Sequence, residues 1–171
     1  MPRREDIARK YRVIFLRSQR VFETQYKDVF DRVISQFASV VNDPSIRLSK
    51  AFKFPPSIEK KMNSYIADFH DDLLILTEEQ ITYSWSLANK SNDRIVDDYL
   101  KTISTIKTAQ KAAYYASNTE ALKAFISRER NAQTLSDSIW KIGKQLRAEL
   151  ETHIGIGITN GDSAKVISRR I

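Results

Sequence analysis

The chain has 171 residues, 42% hydrophobic and 29% charged, with 4 Gly, 4 Pro and no Cys. That is enough chain to bury one core; the sparse Gly and Pro favour helix throughout, and the missing thiols exclude disulfides and Cys-ligated zinc. The formal net charge is +7, and residues 1–27 carry +5 of it, eight basic groups standing against Glu5, Asp6 and Glu23. An asymmetry of that kind concerns partners rather than fold. No run approaches the roughly 18 apolar residues of a membrane span, and the opening MPRREDIARKYRVIFLR lacks the continuous apolar core of a secretory signal.

The first element is a long helix from Arg3 to Val41, because Ile7, Tyr11, Ile14, Phe15, Val21, Phe22, Tyr26, Val29, Phe30, Val33, Ile34, Phe37 and Val40 recur at helical spacing as one broad stripe with no Gly or Pro among them. At 1.5 Å per residue it spans about 58 Å, more than a small domain covers, so part of it must project or pack on another chain. Arg9, Arg20 and Lys27 fall opposite the apolar stripe with Arg17 beside them, and together with Arg12 they are the candidate contacts to duplex DNA. A merely solvated basic face is the competing reading. Phe15, Val21, Phe22 and Tyr26 are the candidate protein interface, since an uncovered apolar stripe marks an interaction surface.

Asn42-Asp43-Pro44 breaks this helix, and SIRLSKAFKF (Ser45 to Phe54) reads as a connector in preference to a short strand. Pro55-Pro56 closes it. A second helix follows from Ile58 to Ala88, striped by Met62, Tyr65, Ile66, Phe69, Leu73 and Leu76. The polar Thr77-Glu78-Glu79-Gln80 permits a kink or a restart, with continuity favoured. Asn89 to Asn92 reads as a turn, Asp93 to Ala116 as a third helix, and Ser117-Asn-Thr-Glu120 as a capping box opening a fourth helix to Arg128. A short polar link, Glu129 to Gln133, leads to the last third.

There Thr134-Leu-Ser-Asp137 is a second capping box, and Ile139, Gly143, Leu146, Leu150 and Ile154 make one apolar stripe. Asn160-Gly161 ends that helix, because glycine takes the left-handed cap conformation without steric penalty. Asp162-Ser163 can cap a short final helix, Ala164 to Ile171, with Arg169 and Arg170 in its last turn. Trp140, one turn inside a capped helix, is expected to be a core anchor.

Chemistry is sparse. His70 and His153 lack the facing Glu-x-x-His pairs of a di-metal bundle site. Gly155-x-Gly157-x-x-x-Gly161 follows a helix, not a strand, so it reads as close packing and a cap rather than a phosphate loop. No Ser–His–Asp or Cys–His set can be argued. No catalytic, cofactor or metal residue is nominated, and the chain is read as a non-enzyme.

The order of side chains carries more. Leu135, Ser136, Asp137, Ile139 and Trp140, then Gly157, Ile158 and Gly161, then Ser163, Ala164, Ser168 and Arg169 resemble the central segment of the phage head morphogenesis (minor head, Mu F-like) family of tailed bacteriophages. The resemblance is specific from Thr134 to Ile171 and only architectural from Lys60 to Arg130. It implies a minor capsid protein that associates with the portal vertex and other head proteins. Such a protein assists head assembly and DNA packaging or delivery, and lies inside the virion after assembly in the bacterial cytoplasm. Members of that family continue into a further domain with a basic Arg-Thr-Glu signature, so by this resemblance the chain is either a fragment cut before that domain or a shortened member. The alternatives are a non-phage nucleic-acid-binding module built on the basic helix, a peripheral membrane helix, and the carrier of a toxin or effector domain. Self-association is expected where the portal is absent.

The whole is then an all-α protein, an elongated helical bundle with a long N-terminal helix and a C-terminal helix-turn-helix segment. Its parts are a basic amphipathic helix (1–42), a connector (43–57), a helical bundle (58–133) and the family-like segment (134–171).

Overall fold

A computed structural model describes residues 4–43, 54–102, 119–130 and 132–171. The described residues form five helices: α1 (Arg4–Val41), α2 (Pro56–Leu100), α3 (Thr119–Ile126), α4 (Leu135–Thr159) and α5 (Ala164–Arg170). The protein is all-α, as its composition predicts.

Local chemistry explains most of the boundaries. Pro55 takes the capping position of α2, its carbonyl accepting from the N–H groups of Ile58 (2.9 Å) and Glu59 (3.0 Å). Pro56 then occupies the first helical position, where its fixed φ is suited and its missing N–H costs nothing. The expected capping box of α4 forms: Asp137 N–H donates to Thr134 Oγ1 (3.1 Å) and Thr134 N–H donates back to Asp137 Oδ2 (2.9 Å). At the other end of α4, Gly161 adopts φ +75°. Its N–H donates to Ile158 O (3.0 Å) and Asp162 N–H to Gly157 O (2.9 Å), the paired bonds of a Schellman stop.

Two expectations are corrected. Asn89 to Asn92 is not a turn, since α2 runs through it to Leu100. Asn and Ser are only mild helix formers, and with no Gly or Pro the burial of Leu87 and Leu100 outweighs their combined deficit. The Thr77–Gln80 stretch is continuous helix, the favoured alternative. At α5 the cap is Ser163, but its side chain makes no cap hydrogen bond. Asp162, instead of capping, forms an ion pair with Arg170. Most of the Ser45–Phe54 connector, the 103–116 stretch of the third helix, and Ser117 and Asn118 of the other capping box lie outside the described residues.

Two compact units divide the chain, and each takes part of both long helices. The first unit comprises residues 1–24 and 76–128, the second 25–75 and 129–171. In the first, Ile7, Leu76, Leu87 and Leu100 are buried, Phe22 meets Tyr83 edge to face at 6.2 Å, and Gln80 donates to Gln19 (3.2 Å). On α3 and the residues after it, Arg128 lies 3.9 Å over the Phe125 ring.

The second unit holds the denser core. Val33 and Phe37 of α1, Ile58, Met62 and Ile66 of α2, and Ile139 and Ile154 of α4 are all buried. Phe30 packs edge-on against Phe69 at 5.0 Å, and Phe37 against Tyr65 at 6.2 Å. Polar ties run around this core: Arg32 pairs with Asp72, Lys61 with Asp43 (2.9 Å), and Arg147 with both Asn63 and Glu151. Two glycines permit the close approaches. A Cβ on Gly143 of α4 would stand 3.2 Å from Ile66 Cγ2 of α2, and one on Gly157 only 2.6 Å from Ile167 Cγ1 of α5. Ile167 fills that space and joins Val41, Ile154 and Ile158 in a cluster flanked by Phe54, Ala164 and Ile171.

Candidate functional site

Of the residues that carry the sequence resemblance, Ile139, Gly157 and Ile158 are buried in the second unit, whereas Asp137, Gly161, Ser163 and Arg169 are exposed. Ser136 and Trp140 stand four apart, hence on one face of α4, and both reach the same side chain of α2. His70 is buried at 5% exposure. Its ring stacks on Trp140 with centroids 4.3 Å apart and planes at 16°, Nε2 lies 2.9 Å from Ser136 Oγ, and Nδ1 lies 2.8 Å from Asp71 Oδ1. An ionised carboxylate only accepts, so Nδ1 carries a proton; the serine hydroxyl, which can donate or accept, pairs with Nε2. Both ring nitrogens are then satisfied, which is what allows a polar ring to be buried here.

Hydroxyl, imidazole and carboxylate therefore follow one another in the order of a nucleophilic triad, a set that sequence spacing did not bring together. The surroundings argue for a clasp between helices instead. The orienting carboxylate, Asp71, is 73% exposed rather than sequestered, and Trp140 covers a face of the imidazole. The N–H of Asp137, which such a hydrolase would aim at an oxyanion, is bonded to Thr134 Oγ1.

Trp140 departs from its expected role. It is half-buried, with Ile139 beside it as the buried anchor, and its remaining surface lines an open cleft of about 560 Å³ with Gln133, Asp137, Lys141 and Lys144. Asp137 titrates below the ordinary carboxylate range, because the Thr134 backbone N–H and then its hydroxyl hold the charged form. Elsewhere in the motif, Leu135 is half-buried at the start of α4 and Ser168 is half-buried on α5, where its hydroxyl donates to Lys165 O (3.2 Å); Arg169 is exposed. No group of three or more His, Asp or Glu suited to a metal ion occurs among the described residues.

The second candidate surface is α1. Arg9, Arg12, Arg17 and Arg20 are all exposed in the first unit. Lys27, further along the helix in the second unit, is exposed and stands 3.8 Å from Asp31. The four proposed interface residues do not make one patch. Phe15 and Val21 are 38% and 59% exposed, but six residues of helix set them about 120° apart. Phe22 is engaged with Tyr83, and Tyr26 is half-buried. Sequence reasoning passed over Val13 (44% exposed) and Leu16 (51%), which lie among the arginines. The signal was present: both interrupt the polar face of the stripe at i, i+3 spacing.

Among the described residues no helix is long and apolar enough to cross a membrane. No family model matches the chain, and comparison with curated proteins and with solved structures likewise finds no match.

Proposed function

We propose that this chain is a minor capsid, or head morphogenesis, protein of a tailed phage or prophage. On this reading it docks at the portal vertex inside the head and assists head assembly and DNA packaging or delivery. It acts by binding, not by catalysis, as an elongated bundle whose C-terminal part is a helix-turn-helix segment. The observation that carries the reading is the ordered run from Leu135 through Ser136, Ile139, Trp140, Gly157, Gly161 and Ser163 to Arg169, which resembles the central segment of that family. Its physical sense supports the reading: Ser136 and Trp140 engage His70, Gly157 admits Ile167, and Gly161 turns the chain. A motif of this kind preserves a folded core and leaves α1 for the partner.

Co-purification tests it. The protein should be retained by the portal protein encoded beside it and be detected by mass spectrometry in assembled particles. Neighbouring reading frames without portal or terminase, together with absence from particles, would refute the assignment.

A second reading, a nucleic-acid-binding module, is favoured by one observation: Arg9, Arg12, Arg17, Arg20 and Lys27 are all exposed. If they contact phosphates, log affinity for duplex DNA should fall against log salt with a slope of about −0.9 per contact. Charge-neutralising any one of them to Gln should then reduce the slope by about one contact. Duplex binding that is unchanged by removing residues 1–27 excludes the role of this helix.

A further inference from the structure

We infer that the outer face of α1 in the first unit is a docking site for an acidic amphipathic helix of a partner protein. The inference deepens the portal-docking reading and rests on it for which protein supplies that helix, not for the helix's chemistry. Arg9, Val13, Leu16 and Arg20 recur at i, i+4, i+7 and i+11, and at 100° per residue they fall within about 60° of one another. All four are exposed, Val13 at 44% and Leu16 at 51%. The line thus has a cation at each end and two adjacent apolar side chains between, with Arg12 and Arg17 on its two flanks. Within α1, residues 7–22 carry no acid; Glu5 and Asp6 precede the line and Glu23 follows it.

That order of charges selects among occupants. Duplex DNA presents hydrated phosphates, against which Val13 and Leu16 would be buried with no apolar partner. An anionic bilayer takes up a face whose apolar strip is continuous and whose cations stand at its margins. Here Arg9 and Arg20 stand in the strip itself. A helix laid along α1 at a shallow crossing angle meets both requirements, because its own i, i+4, i+7, i+11 line returns the pattern. Its acidic residues, about 16 Å apart, reach Arg9 and Arg20, and its two apolar residues cover Val13 and Leu16.

The test uses the full-length protein and three probes: a helical peptide bearing Glu-x-x-x-Leu-x-x-Leu-x-x-x-Glu, a 20-base-pair duplex, and vesicles containing phosphatidylserine. The peptide should bind the wild type, and the double variant Arg9→Glu/Arg20→Glu should lose at least tenfold in affinity. A peptide with Lys in place of both Glu should regain that loss on the double variant only. Val13→Ser/Leu16→Ser should weaken the peptide and leave duplex binding unchanged. Circular dichroism verifies that the variants keep wild-type helicity. Binding of duplex or vesicles but not peptide, failure of the charge exchange to restore affinity, or self-association of the wild type abolished by Arg9→Glu/Arg20→Glu would each overturn the inference. Peptide binding without portal retention upholds the surface and refutes the portal reading. Portal retention that survives Arg9→Glu/Arg20→Glu refutes the surface and upholds the portal.

Discussion

Gly155 and Gly157 stand two residues apart on the same helix, yet what faces each differs completely. A Cβ at position 157 would lie 2.6 Å from Ile167 Cγ1, whereas one at 155 meets nothing within 4 Å. Gly157→Ala should therefore cost about 1–3 kcal/mol by overpacking. Gly155→Ala should stabilise by about 0.5–1 kcal/mol through helix propensity. Urea unfolding of the two variants settles the sign of each, and Ile167→Val in the Gly157→Ala background should recover part of the loss. Equal effects at the two positions would mean that α5 does not lie on α4 as described.

Asp137 gives the residue scale its pH dependence. Its carboxyl is held below the ordinary value by the N–H and hydroxyl of Thr134. A depressed folded-state value means that the contribution to stability is fully present above the unfolded carboxylate value of about 3.9. It is lost as pH falls through the lower folded value. The stability difference between wild type and Asp137→Asn should accordingly be constant near neutrality and shrink as pH drops below about 4. A difference that grows on acidification would contradict the cap.

At the scale of elements, the continuity of α2 is the finding most open to test. A turn at Asn89–Asn92 would accept proline; an unbroken helix does not, because the ring removes a hydrogen bond and strikes the preceding turn. Ser91→Pro should cost about 3 kcal/mol or more. Thermal melts of the full chain monitored by circular dichroism measure it. A variant melting like wild type would restore the turn. The same reasoning explains why the Thr77–Gln80 stretch stays helical: Glu and Gln are good helix formers, and Leu73 and Leu76 are buried on either side of Ile75 just before it.

On the scale of the whole molecule, the units differ in how they use apolar residues. Most of the buried side chains among the described residues, from Val29 to Leu73 and from Ile139 to Ile167, belong to the second unit. The first unit exposes Val13, Phe15, Leu16, Val21, Tyr83, Tyr99 and Phe125. Opening free energy follows buried apolar contact. In hydrogen exchange the amides of residues 62–73 and 143–158 should therefore be the last to exchange. Those of residues 7–22 and 80–98 should exchange earlier, and gain protection when a partner occupies α1. Slower exchange in the first unit of the free protein would reverse this assignment.

Much of this molecule was determined locally and is legible in its sequence. The all-helical class, the ends of α1, the capping box at Thr134 and the glycine stop at Gly161 depend on nearest neighbours along the chain: a hydroxyl three residues from an acid, a residue able to take positive φ, a proline with no N–H. The charge asymmetry of residues 1–27 is likewise a property of the sequence alone. Tertiary structure decided the rest, because it depends on side chains far apart in sequence. Ser136 lies 66 positions from His70, so neither spacing nor periodicity exposes their hydrogen bond or the ring of Trp140 over the imidazole. For the same reason Trp140 was expected in the core: a helical stripe fixes direction to within a turn, and only the helix it meets decides whether Ile139 or Trp140 is covered. The α1 interface divides in the same way. Periodicity made Phe15, Val21, Phe22 and Tyr26 one broad stripe, but Tyr83 engages Phe22 while Val13 and Leu16 stay outward. Which apolar residues a helix leaves exposed depends on what its own chain places against it, and a sequence does not contain that partner until it folds.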